Sequence, residues 1–99
     1  MIVITGTARV RDDRRAEAIS AAIEMARMSR AEPGCAIYEV SITLEDPCVF
    51  RLVEQWESAQ ALQAHFATPH FADFGQKLAG FLADAPSFVR YEVASAGPL

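Results

Sequence analysis

The chain has two histidines, His65 and His70, standing on either side of Thr68-Pro69. A continuous helix would turn side chains at that spacing apart, whereas a break between them lets both rings face one space. His65 closes one helical piece and His70 opens the next. The helix dipole favours a proton on a ring in the first position and disfavours it in the second, the asymmetry an acid and base pair needs. Two half-exposed rings with routine capping roles is an equally simple reading. A third group, Glu54, lies in the row Phe50-Leu52-Glu54-Trp56, which strand alternation points to one face. A carboxylate among three large apolar side chains either takes up a proton or is satisfied by a donor such as Arg51, Arg90 or a helix end. Glu54 could also join both imidazoles around a metal ion, but no ligand spacing supports that set, and no metal site is expected.

Trp56 and Tyr38 are amphipathic aromatics suited to a pocket between sheet and helices. Phe50, Phe66 and Phe74 extend the same apolar wall, with Phe71, Phe81, Met25 and Met28 behind them and Arg51 as a neighbouring cation. This set fits a flat aromatic ligand and fits ordinary core packing equally well. The chain lacks a glycine-rich phosphate loop, a G-x-S-x-G elbow and an H-E-x-x-H helix. Those absences argue against nucleotide-dependent, serine-hydrolase and zincin chemistry. Cys35 and Cys48 fall at opposite ends of a hairpin, about 30 Å apart at strand rise, too far for a disulfide. They are expected to be small buried hydrophobes.

Six elements must position these groups. Ile2 to Val10 is β-branched and bounded by Arg11-Asp12-Asp13, which makes it a strand. Asp12 or Asp13 is expected to cap a helix to about Arg30, with Ala16, Ile19, Ala22, Ile23 and Ala26 as its apolar stripe, and Glu32-Pro33-Gly34 stops it. Cys35 to Leu44 and Cys48 to Glu57 form a hairpin around Glu45-Asp46-Pro47. Ser58 caps a short helix through Phe66. Thr68 and Pro69 start another to about Asp84, burying Phe71, Phe74, Leu78, Phe81 and Leu82. Ser87 to Ser95 is the last strand, so residues 1–95 make a single domain and 96–99 a loose tail.

The order β-α-β-β-α-β, its second helix split, predicts an α+β fold: a ferredoxin-like sandwich with an antiparallel four-stranded sheet and helices on one face. Val49 and Val53 oppose Phe50, Leu52 and Trp56 on one strand, while Val89, Tyr91 and Val93 oppose Phe88 and Ala94 on another. In the second strand Tyr38, Val40, Ile42 and Leu44 are expected to oppose Cys35 and Ile37. A sheet apolar on both faces is covered on both, and a second copy of the chain is the expected cover, giving a homodimer. Composition agrees, because a core built from 99 residues alone is marginal while 52% of the residues are hydrophobic. The net charge of −4 and the lack of a basic stripe disfavour nucleic acid. No apolar run approaches the roughly 20 residues of a membrane span, and Met1 to Val10 lacks signal-peptide features. A cytoplasmic protein without nucleic-acid or membrane partners is therefore expected.

The segment Glu32-Pro33-Gly34-Cys35-Ala36-Ile37-Tyr38 resembles an E-x-G-C-x-x-Y motif. The stretch Phe50, Glu54, Trp56, Ser58, His65, Thr68-Pro69-His70-Phe71 resembles an F-x-x-x-E-x-W-x-S…H-x-x-T-P-H-F core. Both are similar to the antibiotic biosynthesis monooxygenase domain of the dimeric α+β barrel superfamily, over nearly the whole chain. The resemblance implies a homodimer with one pocket per subunit. It also implies an oxygenase that turns phenols or quinols into quinones with O2 and without flavin, haem or metal, so no cofactor is expected. On that reading His70 is the base and His65 a proton relay or anion stabiliser. Trp56 and Tyr38 hold a small apolar aromatic substrate, and Glu54 orients a neighbouring histidine or donor. The chain departs from the family in having no asparagine. Several family oxygenases use one, and the haem-degrading branch requires one. The H-x-x-T-P-H run is also similar to a branch that isomerises phosphorylated autoinducer sugars, and a non-catalytic ligand-binding module is a third alternative.

Overall fold

In the computed structural model, which describes residues 1–99, the β-branched N-terminal run forms strand β1 (Ile2–Arg9), followed by a 3-10 turn over Asp12–Arg14 and helix α1 (Arg15–Arg30). Strands β2 (Cys35–Thr43) and β3 (Asp46–Trp56) form the hairpin. Helices α2 (Ala59–Phe66) and α3 (Pro69–Phe81) replace a single second helix, and β4 (Ser87–Glu92) closes the order. The sheet runs β2-β3-β1-β4 and every neighbouring pair is antiparallel. This is the ferredoxin-like α+β arrangement expected from the sequence.

Register decides which side chains meet the helices. Glu54 stands opposite Ile4 on one side and Tyr38 on the other, and Trp56 opposite Ile2. Residues directly opposite share a face. Ile2, Ile4, Tyr38 and Trp56 therefore join Met25, Ala26 and Leu62 in the main core, while Val10, Ala18, Phe50 and Phe81 form a second cluster.

Several boundaries differ from expectation. Neither Asp12 nor Asp13 caps α1. The cap positions fall on Arg11 and Arg14 without side-chain cap bonds, and Asp13 pairs instead with Arg11 at 2.8 Å. The buried stripe of α1 is Ala18, Ala22, Met25, Ala26 and Ser29, leaving Ile23 64% exposed. Small residues let this helix lie close to the sheet, so size rather than hydropathy selects the inner face. The hairpin turn is only Leu44-Glu45, and Asp46 and Pro47 already belong to β3. There Asp46 accepts bonds from the Cys48 amide at 3.0 Å and from Arg9 at 2.8 Å.

A bulge at the start of β2 sets Cys35 against Trp56 and Ile37 against Gln55. Strict alternation lapses there, and Cys35 packs on the helix-side core with Tyr38 instead of opposing it. Leu44 is fully exposed at the turn. Helix α3 ends at Phe81 because Leu82 is extended and bridges to Val10; of its expected stripe only Phe81 is fully buried. Strand β4 stops at Glu92, although the Val93 amide still bonds the Met1 carbonyl at 3.0 Å. On the sheet face away from the helices, Val53, Val89 and Tyr91 are 41%, 44% and 49% exposed. No helix is long and apolar enough to cross a membrane.

Candidate active site

The break between α2 and α3 is made by one residue. Thr68 Oγ1 donates to the His65 carbonyl at 2.7 Å and accepts from the Phe71 amide at 3.3 Å, tying the end of one helix to the start of the next. Pro69 at the first helical position costs no hydrogen bond. This corner sets both histidines beside Glu32, which follows α1. His65 Nδ1 and His70 Nε2 each lie 2.7 Å from the same oxygen, Glu32 Oε2. With the carboxylate accepting, both facing nitrogens carry hydrogen; Nε2 of His65 then has a lone pair in the neutral ring and an N–H in the imidazolium.

That Nε2 points toward Glu54, 3.9 Å from Oε1. Glu54 is held by neither Arg51 nor Arg90. Its donor is the indole of Trp56, two residues along the same row, with Nε1 donating to Oε1 at 2.9 Å. Burial pushes the Glu54 carboxyl above the usual range; the Trp56 bond, and the positive charge of His65 when its ring is protonated, pull the other way. Burial and the charge of Glu54 also raise the Tyr38 phenol, which stays a neutral hydroxyl. The Cys35 thiol is pushed up to about 11 by burial and by the two carboxylates Glu32 and Glu54, which leaves it unreactive.

His65 and Glu54 form one polar edge of a cavity of about 340 Å³ between the sheet and α3. Ile4, Tyr38, Leu52 and Phe88 give it a floor, Met25 a side, and Phe66, Phe71, Phe74, Gly75 and Leu78 a roof. The size falls at the lower end of small-molecule sites, and an apolar lining with few convergent polar groups is their usual character. The His65 side chain is 1% exposed and sits in an aromatic cage, its ring centroid 4.6 Å from that of Trp56 and 5.2 Å from that of Phe71. No lysine or arginine lines the cavity.

Of the residues expected to form the site, His65, Glu54, Tyr38, Phe66 and Phe74 come together. Four do not line this cavity. His70 lies beyond Glu32, bordering a hollow of about 30 Å³ on the outer side. Trp56 is wholly buried behind Glu54 and His65, so it braces them and cannot stack on a ligand. Phe50 belongs to the second cluster and borders an adjoining hollow of about 50 Å³. Arg51 stands opposite Thr7 and Ser41 in the register, on the sheet face away from His65. The sequence reading assigned no role to Glu32, which organises both imidazoles. A signal for it was present: an acid just past the end of α1 sits where the helix dipole disfavours negative charge, a choice that needs a tertiary reason.

Comparison with known proteins agrees with this architecture. The family model described as antibiotic biosynthesis monooxygenase matches residues 1–77. The "Putative monooxygenase YcnE" of Bacillus subtilis is 31% identical over 94 residues, covering 95% of this chain and 99% of that protein. An uncharacterised Synechocystis protein, sll1783, is 32% identical over 93 residues, 94% of this chain; the match spans only 63% of that protein's length. Among solved structures, an antibiotic biosynthesis monooxygenase family protein from Deinococcus radiodurans superposes with a TM-score of 0.93 at 25% identity, covering 100% of this chain and 98% of that one. The motif residues, the sheet order and the family match over most of the chain agree: this chain belongs to the antibiotic biosynthesis monooxygenase family.

Proposed function

We propose that the protein is a cofactor-independent monooxygenase that oxidises a small phenolic or quinol substrate to a quinone with O2, working as a homodimer in the cytoplasm. The observation that carries this reading is the setting of His65. It is the single imidazole in the cavity wall, with Nδ1 2.7 Å from Glu32 Oε2 and Nε2 on the side of Glu54, 3.9 Å from Oε1. A neutral ring held in that way is a base, and the carboxylate behind it stabilises the imidazolium that forms. This assigns proton abstraction to His65 and gives His70, bonded to the same Glu32 oxygen, a positioning role.

The apolar cavity suits the aromatic body of the substrate, and the Tyr38 hydroxyl and Glu54 sit near the base. Removing the phenolic proton leaves an electron-rich anion that reduces O2 itself. One oxygen atom becomes the new quinone carbonyl, the other leaves as water, and the substrate supplies the electrons. A phosphorylated sugar would call for cations, and neither Arg51 nor Arg90 lines the cavity. The apolar patch of Val53, Val89 and Tyr91 supports the dimer, because a second sheet laid on it would remove exposed hydrophobic surface from water.

Oxygen uptake with a panel of naphthols, naphthoquinols and anthrones tests the reading. We expect turnover above background without added cofactor, a loss of about 100-fold or more in His65→Ala, and a smaller loss in His70→Ala. Equal uptake by wild type and His65→Ala, with both proteins folded, overturns it.

A further inference from the structure

We infer that Glu32, His65 and His70 form a binding site for one divalent transition-metal ion of the zinc class. The donors come from three segments: the loop after α1, the end of α2 and the start of α3. Each supplies one atom, His65 Nδ1, His70 Nε2 and a Glu32 oxygen, and these atoms lie within 4.8 Å of one another. The two nitrogens already converge at 2.7 Å on a single carboxylate oxygen. A tetrahedral ion with bonds of about 2.0–2.2 Å needs donors roughly 3.3–3.5 Å apart. Each nitrogen–oxygen contact therefore has to open by less than about 1 Å, while the two nitrogens, within 4.8 Å of each other, close by roughly 1 Å or a little more. Two imidazoles and one carboxylate are a borderline-soft set, suited to zinc and its neighbours rather than to magnesium or calcium.

Three further features favour an ion over a plain hydrogen-bonded cluster. Glu32 has no lysine or arginine partner, so its charge is met only by the two rings. The site has shell and access: the side chains of His65, Glu32 and His70 are 1%, 12% and 13% exposed, and His70 borders the outer hollow. Metal-bound histidines commonly give their other ring N–H to a carboxylate, and here His65 Nε2 faces Glu54 at 3.9 Å, with Trp56 holding Glu54 in turn. An ion on Nδ1 would place the proton of His65 on Nε2. On the function proposed above, that removes the base, so the site would switch catalysis off.

The test is binding to the chelator-stripped full chain: calorimetry with zinc chloride, visible absorption with cobalt chloride, and 15N spectra of labelled histidine. We expect one saturable site per chain, weakened by about tenfold or more in Glu32→Gln and in His70→Ala. Both substitutions lie on the partly exposed side, and thermal melts verify their folding. Zinc should move the resonances of His65 Nδ1 and His70 Nε2. The inference falls if no site saturates at one equivalent, if both folded variants bind as tightly as wild type, or if the spectra place the ion on His65 Nε2 or His70 Nδ1. None of these readouts depends on turnover, so a failed oxygen assay and a failed metal titration are separate results.

Discussion

Replacing Trp56 by Phe isolates the contact that keeps a carboxylate buried beside the base. The substitution keeps an aromatic ring in the row but deletes the indole N–H that donates to Glu54 Oε1 at 2.9 Å. A hydrogen bond to a charged group is worth about 1.5–3 kcal/mol. Loss of the larger ring at a fully buried position adds roughly 1–2 kcal/mol of packing. The total is about 2.5–5 kcal/mol at neutral pH. A melting temperature should fall by 4–8 °C per kcal/mol, roughly, in a domain of this size.

Dependence on pH separates the two contributions. Packing loss is the same at every pH, whereas the bond matters only when Glu54 is ionised. Burial already holds the Glu54 carboxyl above its usual range, and the indole is the main group opposing that rise. A carboxyl raised on folding stabilises the native state most below its unfolded pKa and loses that contribution as pH rises through its folded value. Removing the indole raises the folded value further. The gap between wild type and Trp56→Phe should therefore open from the ordinary carboxylate range toward neutrality. Urea unfolding from about pH 4 to pH 8, at fixed protein concentration because the proposed dimer would make stability depend on it, reads this directly. A gap that stays flat across that range would mean that the indole is not what holds the charge.

Two further outcomes follow from particular contacts. Gly34 has φ +83°, and a Cβ there would lie 2.6 Å from the Cβ of Ala61. Gly34→Ala should cost about 2 kcal/mol in thermal melts, and the double variant with Ala61→Gly should recover the contact share but not the backbone strain. Val89→Glu sets a charge on the uncovered sheet face, where Val89 is 44% exposed in the single chain. Light scattering should change from a dimer in the wild type to the 10.8 kDa single chain in the variant; equal masses for the two proteins would remove the sheet-to-sheet dimer.

Element order, hairpin and helix break were legible because each rests on local chemistry: β-branched runs, Ser58 and Thr68 as caps, and Pro69 at a first helical position. Alternation also placed Glu54 correctly among Phe50, Leu52 and Trp56 on the helix side. It failed at Ala36, where a bulge leaves one residue unpaired and turns Cys35 toward the core. The inner face of α1 was legible in part: Ala22 and Ala26 are buried as expected, but hydropathy favours Ile23, whereas the buried face also takes Ala18, Met25 and Ser29. The partner of Glu54 escaped for a related reason. A buried carboxylate prompts a search for a cation, yet a neutral donor two residues along the same strand face already reaches it.

Glu32 escaped for a different reason, and that reason bears on function. Its contacts span 33 and 38 residues of sequence, so no local pattern contains them. Locally the residue is a poor choice: a carboxylate following α1 meets the negative end of the helix dipole. Such conflicts between local preference and final structure concentrate where a chain does chemistry. Here the conflict is resolved only when the α2–α3 corner brings two ring N–H groups to one oxygen. The same corner sets His65 in the wall of the apolar cavity. Fold and site are thus one construction: the loop that stops α1 and the break that splits the second helix meet at a single carboxylate.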